Sequence, residues 1–545
     1  MDKKNFIIGI LFLFAAFSLF IKQERQLRTN VENMPVVHPS IEVVKQEGVQ
    51  PKQKVKEIFQ YHWQASNLIT LENSALKVHF SLAGGGIQSV ELKHHAREQD
   101  STIPYTFNEK NVLPALSLLW NTHTVEAAIF TVTAQTDRFL QLRSVLKDGS
   151  IIVRGYRLAE NQAENPYLIQ TEISVQQPSY TRDHLWLSLG NMPNTPGDTN
   201  AEFLNFCVYN GKDTEFKQPR DFEASNGFFG LGKRAAVESI ASENPYVWGA
   251  LKNQFFTSIL TPSTPAIGYV AAPTRQANEV YMQGFLKFAL PSQQSCISAT
   301  YFVGPKDYIL LDRMGKEQDQ LMQFGFFGAV SKILLMAMHA IHRCIPNWGW
   351  TIIVLTMIIK LLMWPVTQAQ LRSSKKMSSI QEPLKRIREK YKGNPQKLQM
   401  ETMRIFKENR VNPAAGCLPV FIQIPIFIGL YYMLRTSSEI RFQSFLWIKD
   451  LSLPDTICTL RSFPINIMPL LMGVTMFVQM KLTPTPAMDG MQQKMIMWMP
   501  FIFLFFCYNF PSALVLYWTV QNLFTIIQQG LTRRALNSEQ PVTIK

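Results

Sequence analysis

One side chain is chemically out of place in this sequence. Lys360 sits inside WTIIVLTMIIKLLMWPVT, residues 350–367, an otherwise apolar run with Trp350 and Trp364 near its ends. As a helix this run covers roughly 25 Å, close to a bilayer core. A lysine there costs about 3 kcal/mol on insertion scales, so it either snorkels to headgroups or faces a polar cavity. Thr356 lies one turn earlier on the same face. Gln423 falls in the middle of the next apolar run, and Trp518 and Gln521 lie in the last one. Such groups suit the walls of a wetted groove, where they offer charge and hydrogen bonds.

No enzyme signature stands beside them. There is no HExxH, no GxSxG and no pair of intramembrane aspartates. The six cysteines lack CxxC or zinc spacing, although Cys207 and Cys296 could pair in an extracytoplasmic domain. His339 and His342 are spaced i, i+3 but have no third ligand. GFFGLGK, residues 227–233, imitates the start of a P-loop, yet Arg234 stands where a hydroxyl should hold magnesium. The expectation is a protein that is not an enzyme and has no cofactor and no metal.

The elements that position these groups follow from hydropathy and charge. The chain has 545 residues, 54 Lys and Arg against 40 Asp and Glu, and a formal charge of +14. In a membrane protein such an excess reads as cationic loops held in the cytoplasm. Residues 3–22 form an uncleaved signal anchor, and the polar, proline-containing stretch 23–60 forms a linker. From about 61 to 315, short alternating runs separated by turns predict a large antiparallel β-sandwich, with Gly84-Gly85-Gly86 as a turn between strands. Residues 316–345 predict an amphipathic interfacial helix with Ser331, His339 and His342 on its outer face. Residues 368–412 carry twelve Lys and Arg against four Glu and predict a cytoplasmic two-helix hairpin, with an apolar stripe through Ile380, Leu384, Ile387 and Tyr391. Its cationic surface, including Lys385, Arg386 and Arg388, suits anionic lipid and also the docking of ribosomal RNA or a targeting factor.

Further apolar runs complete six expected spans, at about 5–21, 350–367, 416–434, 464–481, 495–509 and 512–530, with a tail from 533. The last five make a helical core over 346–532. Topology then places both termini in the cytoplasm and the β-domain outside. Lys360 comes about 10 Å from the cytoplasmic end of its span. Short spans thin the bilayer, and Met468, Met472, Met476 and Met480 form a soft stripe. Together these predict a wetted groove open to the cytoplasm.

NPAAGCLPVFIQIPIFIGLYYML (412–434), PLLMGVTMFVQ (469–479), MQQKMIMWMP (491–500) and FPSALVLYWTVQNLFTIIQQ (510–529) make the sequence similar to the YidC-type membrane protein insertases, of the YidC/Oxa/Albino family. The resemblance extends over the whole architecture, including the anchor and the β-domain, and so points to the Gram-negative form with a large periplasmic domain in the inner membrane. It implies a groove cation in the second span. The family has Arg there and this sequence has Lys360, a cation that desolvation can discharge. It also implies polar groove residues at Thr356 and Gln423 and an aromatic at Trp518. The expected activity is insertion and folding of inner-membrane proteins. A client's polar segment enters the groove, and its apolar segment slides past Phe427, Leu430, Met433, Met472 and Met476 into lipid. The implied partners are nascent membrane proteins, not small molecules; the Sec translocon, the ribosome and the signal recognition pathway stay open. The rival readings are a secondary transporter, which would show internal repeats, and an envelope scaffold, which would depend on residues 60–300.

Overall fold

The structure is a computed structural model. It describes residues 68–538 except 100, 109–112, 122–123, 126–127, 160–164, 181, 196–197, 199–200, 226–233, 277–278, 410–417, 462 and 484–489. The expected signal anchor, the linker, the P-loop look-alike and Cys417 lie outside the described residues. The chain divides into two compact units, after Met322.

The first unit is β-rich. Every pairing in its sheets is antiparallel. A four-stranded sheet opens it, followed by sheets of nine and six strands. The nine-stranded sheet is centred on Leu168–Gln176, Gln294–Pro305 and Phe256–Pro262, and the six-stranded sheet on His184–Pro193 and Glu279–Ala289. Alternation of apolar and polar residues turns one face of each strand inward, as in Leu168–Gln176, where Ile169, Thr171, Ile173 and Val175 are buried. The two large sheets pack face to face. The sheets come close at Gly284, where a Cβ would collide with the Phe206 ring on the opposite sheet.

The expected triple-glycine turn is present between strands Leu76–Ser81 and Ile87–Ala96, with Gly84 and Gly85 at φ 73° and 62°. Arg154, fully buried, ties it down by donating to Gly84 O at 2.8 Å, and Tyr156 Oη donates to Gly85 O at 2.6 Å. Cys207 is buried and Cys296 exposed, and neither is in a disulfide, so the two do not pair. After the last strand come helix α1 (Tyr308–Arg313), capped by Asp307, and a short 3-10 turn, Gln318–Met322.

The second unit is helical: α2 (Gly328–Cys344), α3 (Trp348–Leu362), α4 (Trp364–Ser379), α5 (Gln381–Lys390), α6 (Pro395–Glu408), α7 (Leu418–Thr436), α8 (Ile467–Leu482), α9 (Gly490–Cys507) and α10 (Ser512–Ser538). A two-stranded hairpin, Thr456–Leu460 with Phe463–Asn466, lies between α7 and α8. α10 is central, packing against α3 and α8 and more lightly against α7.

Three expectations change here. The run 350–367 is not one straight span: α3 stops at Leu362 and α4 leaves at 57°. Pro365 is the cause, since it cannot donate to the turn before it and its ring displaces the preceding carbonyls. The interfacial helix begins at Gly328, not 316, and Ser331 lies on its inner face, beside Leu334, Leu335 and Met338, not on its outer one. Ser331 is fully buried and donates to Gly429 O on α7 at 3.1 Å, whereas Ile333 and Met336 are exposed. Gly429 permits this contact, because a Cβ there would lie 3.3 Å from Ser331 N. The basic segment holds α5 and α6 as expected, but α4 runs directly into it, and Met377, Ile380, Leu384 and Ile405 form its core with Ile387 and Phe406 against them.

Among the described residues no single helix is long and apolar enough to cross a membrane by itself. The bent pair Trp348–Leu362 and Trp364–Ser373 is so in combination, and Phe421–Thr436, Ile467–Leu482 and Met497–Cys507 are shorter apolar helices.

Candidate functional site

α3 starts cleanly because Asn347 accepts from Trp350 N at 3.1 Å, a side-chain N-cap. That start sets the phase of the helix. Thr351, Ile352, Leu355, Thr356, Ile359 and Lys360 fall on its buried side, while Met357, Ile358, Leu361 and Leu362 are exposed. Lys360 is 9% exposed and sits in the last turn, where the helix dipole favours a cation. Its Nζ donates to Thr525 Oγ1 on α10 at 3.2 Å. Thr356 is buried with it, its hydroxyl donating back to Ile352 O at 2.6 Å. This i−4 bond satisfies the threonine inside its own helix and leaves Lys360 as the polar group that reaches across.

The polar side chains gather on α10. Gln423 of α7 donates through Nε2 to Tyr517 Oη at 2.7 Å and to Gln521 Oε1 at 3.3 Å. Gln528 is fully buried and donates to Trp364 O at 3.4 Å, at the break between α3 and α4. Tyr517, Gln521, Thr525 and Gln528 are spaced i, i+4, i+8 and i+11, so they line one face of α10 toward α7, Lys360 and the break. A second polar seam faces α8, where Asn522 donates to Thr475 Oγ1 at 3.2 Å and Gln529 to Thr483 Oγ1 at 2.8 Å. Trp518 caps the first face on its apolar side, with Phe427 and Phe503 edge-on at 4.7 Å and 4.9 Å.

Of the expected groove residues, the structure thus joins Gln423 to Gln521 and Lys360 to α10, and sets Trp518 beside Phe427. Lys360 and Gln423 bond to different residues of α10, Thr525 for the one and Tyr517 with Gln521 for the other. Tyr517, Thr525, Asn522, Gln528 and Gln529 were not singled out from sequence. Their signal was present, as hydroxyl and amide residues at helical spacing in an apolar run, but it was overshadowed by the one formal charge.

The residues of the expected apolar slide differ in burial. Leu430, Met433 and Met472 are 1%, 0% and 0% exposed and fill the interior of the bundle, while Phe427 and Met476 are half-buried. The apolar groups that α7 and α8 offer outward include Phe421, Ile424, Leu470, Leu471, Val474 and Val478. In the basic segment Lys385 and Arg386 are exposed and Arg388 is half-buried.

The arrangement can hold a polar chain against a buried ammonium and a row of hydroxyls and amides. Among the described residues there is no group of three His, Cys, Asp or Glu placed to bind a metal.

Known proteins carry the same two parts. Residues 68–337 match the family model described as the YidC periplasmic domain, and residues 340–539 match that of the 60Kd inner membrane protein. A membrane protein insertase YidC from Janthinobacterium sp. (strain Marseille) is 30% identical over 85% of this chain and 84% of its own. One from Pasteurella multocida (strain Pm70) is 29% identical, with 99% of each chain covered. A solved crystal structure of an active YidC insertase aligns with 89% of this chain and 96% of its own, at a TM-score of 0.36 and 18% identity. With a β-rich periplasmic-type domain, a helical C-terminal region and relatives matched along most of their length, this chain belongs to the YidC family of inner-membrane protein insertases.

Proposed function

We propose that this insertase works through a polar groove walled by α3, α7 and α10. Lys360 draws in the acidic outer segment of a nascent membrane protein, while Gln423, Gln521 and Thr525 exchange hydrogen bonds with its polar backbone. No covalent step is involved. The observation that carries the reading is Lys360 itself, 9% exposed among apolar helices and bonded to Thr525 Oγ1 at 3.2 Å. A buried ammonium in a span is costly unless it is paired or serves a passing ligand. Thr525 is a neutral acceptor, so Lys360 has no counter-charge in this contact, which leaves it suited to attract a carboxylate.

In this reading α3 with α4, α7, α8, α9 and α10 make five of six spans, the first lying near residues 5–21. Both termini face the cytoplasm and the β-domain, residues 61–315, lies in the periplasm. α2 rides at the membrane surface, with Ile333 and Met336 toward lipid. The client's apolar segment leaves past the outward groups of α7 and α8, among them Phe421, Ile424, Leu470 and Val474. The cytoplasmic helices α5 and α6 offer Lys385, Arg386 and Arg388 to anionic lipid, to the ribosome or to a targeting factor, and the chain acts alone or beside the Sec translocon.

Lys360→Ala tests the electrostatic step in cells depleted of their own insertase. Insertion of clients with acidic outer segments should fall roughly fivefold, equivalent to about 1 kcal/mol, with neutral clients little changed. Equal insertion of acidic clients by the variant and the parent would refute the role of the charge.

A further inference from the structure

The loop between α7 and α8, residues 437–466, has three acids, Glu439, Asp450 and Asp455, and three bases, Arg441, Lys449 and Arg461. By composition it is neutral. The fold sorts these charges by direction. Asp450 is 4% exposed and accepts from Ser452 N and Oγ at 2.8 Å and 2.7 Å. Asp455 is 5% exposed and accepts from Trp447 Nε1 at 3.0 Å and Met468 N at 2.7 Å. The Glu439 side chain is largely buried, with Oε1 3.3 Å from His339 Nε2. Lys449 and Arg461 are exposed. The acids therefore face inward and two of the three bases face outward.

The same outward surface is apolar. Leu446 is 72% exposed, Leu460 66%, Phe463 59% and Ile457 53%. All five residues of strand Thr456–Leu460 are exposed, in a hairpin that among the described residues forms a two-stranded sheet of its own. Such a hairpin is marginal in water, and a patch of this kind marks an interaction surface. Its base is nevertheless held firmly. Thr456 Oγ1 donates to Asn466 Oδ1 at 2.7 Å, Asn466 Nδ2 to Tyr508 O at 2.7 Å, and Tyr508 Oη to Pro464 O at 2.7 Å. Leu446 and Arg461 adopt left-handed backbone, at φ 53° and 48°, which is costly for residues other than glycine. The exposed apolar display is thus built into the loop and held at a cost.

We propose that the 445–466 loop and its hairpin are seated on the outer leaflet, with Ile457, Leu460 and Phe463 in the interfacial layer and Lys449 and Arg461 on anionic headgroups. The partner is lipid because the hairpin leads straight into α8, whose Leu470, Leu471 and Val474 are also exposed and would face the bilayer. Exposed Trp350 and Trp447, with half-buried Tyr508, stand at the same ends of the helices, as aromatic belts do at membrane interfaces. Cations among apolar groups complement an anionic surface. This seat is separate from the basic helices α5 and α6 and rests on the reading of α7 and α8 as spans.

The test uses the full chain with its native cysteines replaced, carrying a nitroxide at Leu460→Cys or, as a control, at Val474→Cys. It is reconstituted in nanodiscs of phosphatidylglycerol with phosphatidylethanolamine, or of phosphatidylcholine alone. Collision with oxygen should exceed collision with a water-soluble nickel chelate at position 460 in the anionic discs. The ratio should shift at least twofold toward nickel in phosphatidylcholine, or when Lys449→Glu and Arg461→Glu are combined. Nickel dominating at 460 in both lipids, with oxygen dominating at 474, would overturn the lipid seat and leave the spans intact. Nickel dominating at both positions would overturn the span reading as well. Shielding of 460 from both reagents whatever the lipid would mean a protein covers the hairpin, which also overturns the proposal.

Discussion

At the scale of single residues, burial decides what each polar group can do. Lys360 and Asp450 are both buried, yet they sit in opposite circumstances. Lys360 reaches a hydroxyl on another helix, whereas Asp450 accepts from Ser452 two residues along in its own loop. Burial raises the Asp450 carboxyl above its ordinary value, and the hydrogen bonds from Ser452 and the Phe442 amide, with the Arg441 charge, offset this only in part. A carboxyl raised on folding holds its proton longer in the folded chain. Its favourable contribution is therefore present at acid pH and is lost as pH rises through the folded value. Asp450→Asn keeps the acceptor for Ser452 and supplies no charge to bury. It should stabilise the chain by about 1 kcal/mol at pH 7 and by much less near pH 4, read as melting temperature in detergent. A melting temperature lowered equally at both pH values would contradict this. The lysine was legible in sequence because a charge in an apolar run is conspicuous. Asp450 was not, because a balanced loop composition says nothing about which charges turn inward.

At the scale of elements, helical periodicity located the helices but not always their faces. In water an amphipathic helix shows its inner side by hydropathy. Where the outer side faces lipid both sides are apolar, so Leu430, Met433 and Met472 could not be told from surface residues, and they prove to be interior. The same ambiguity misplaced Ser331 on α2. Its serine seeks the Gly429 carbonyl, and its apolar Ile333 and Met336 look outward. Gly429 is what lets α2 and α7 come together, since even a Cβ would lie 3.3 Å from the Ser331 amide. Gly429→Leu should part the two helices and destabilise the chain by about 1–3 kcal/mol, in the range of overpacked cores. A cysteine pair placed across the α2–α7 contact should then crosslink poorly in membranes, whereas crosslinking at the parental yield would show that the close approach is not required. The β-strands were legible in outline because strict alternation specifies one buried face. Their division into sheets of four, nine and six strands was not, since pairing partners are far apart in sequence.

At the scale of the whole molecule, two kinds of construction meet in one chain. Up to Met322 the chain buries apolar residues between twisted antiparallel sheets; beyond it, apolar helices surround a polar seam on α10. The family was legible from motifs in the second part and rests on relatives matched over most of their length. The groove is the claim on which the account of insertion depends, and the side from which Lys360 can be reached tests it. In membrane vesicles, a chain with its native cysteines replaced and carrying Lys360→Cys can be treated with a membrane-impermeant thiol reagent from either face. The account predicts labelling from the cytoplasmic face and protection when an arrested acidic client is present. No labelling from the cytoplasmic face, or labelling from the periplasmic face alone, would contradict it.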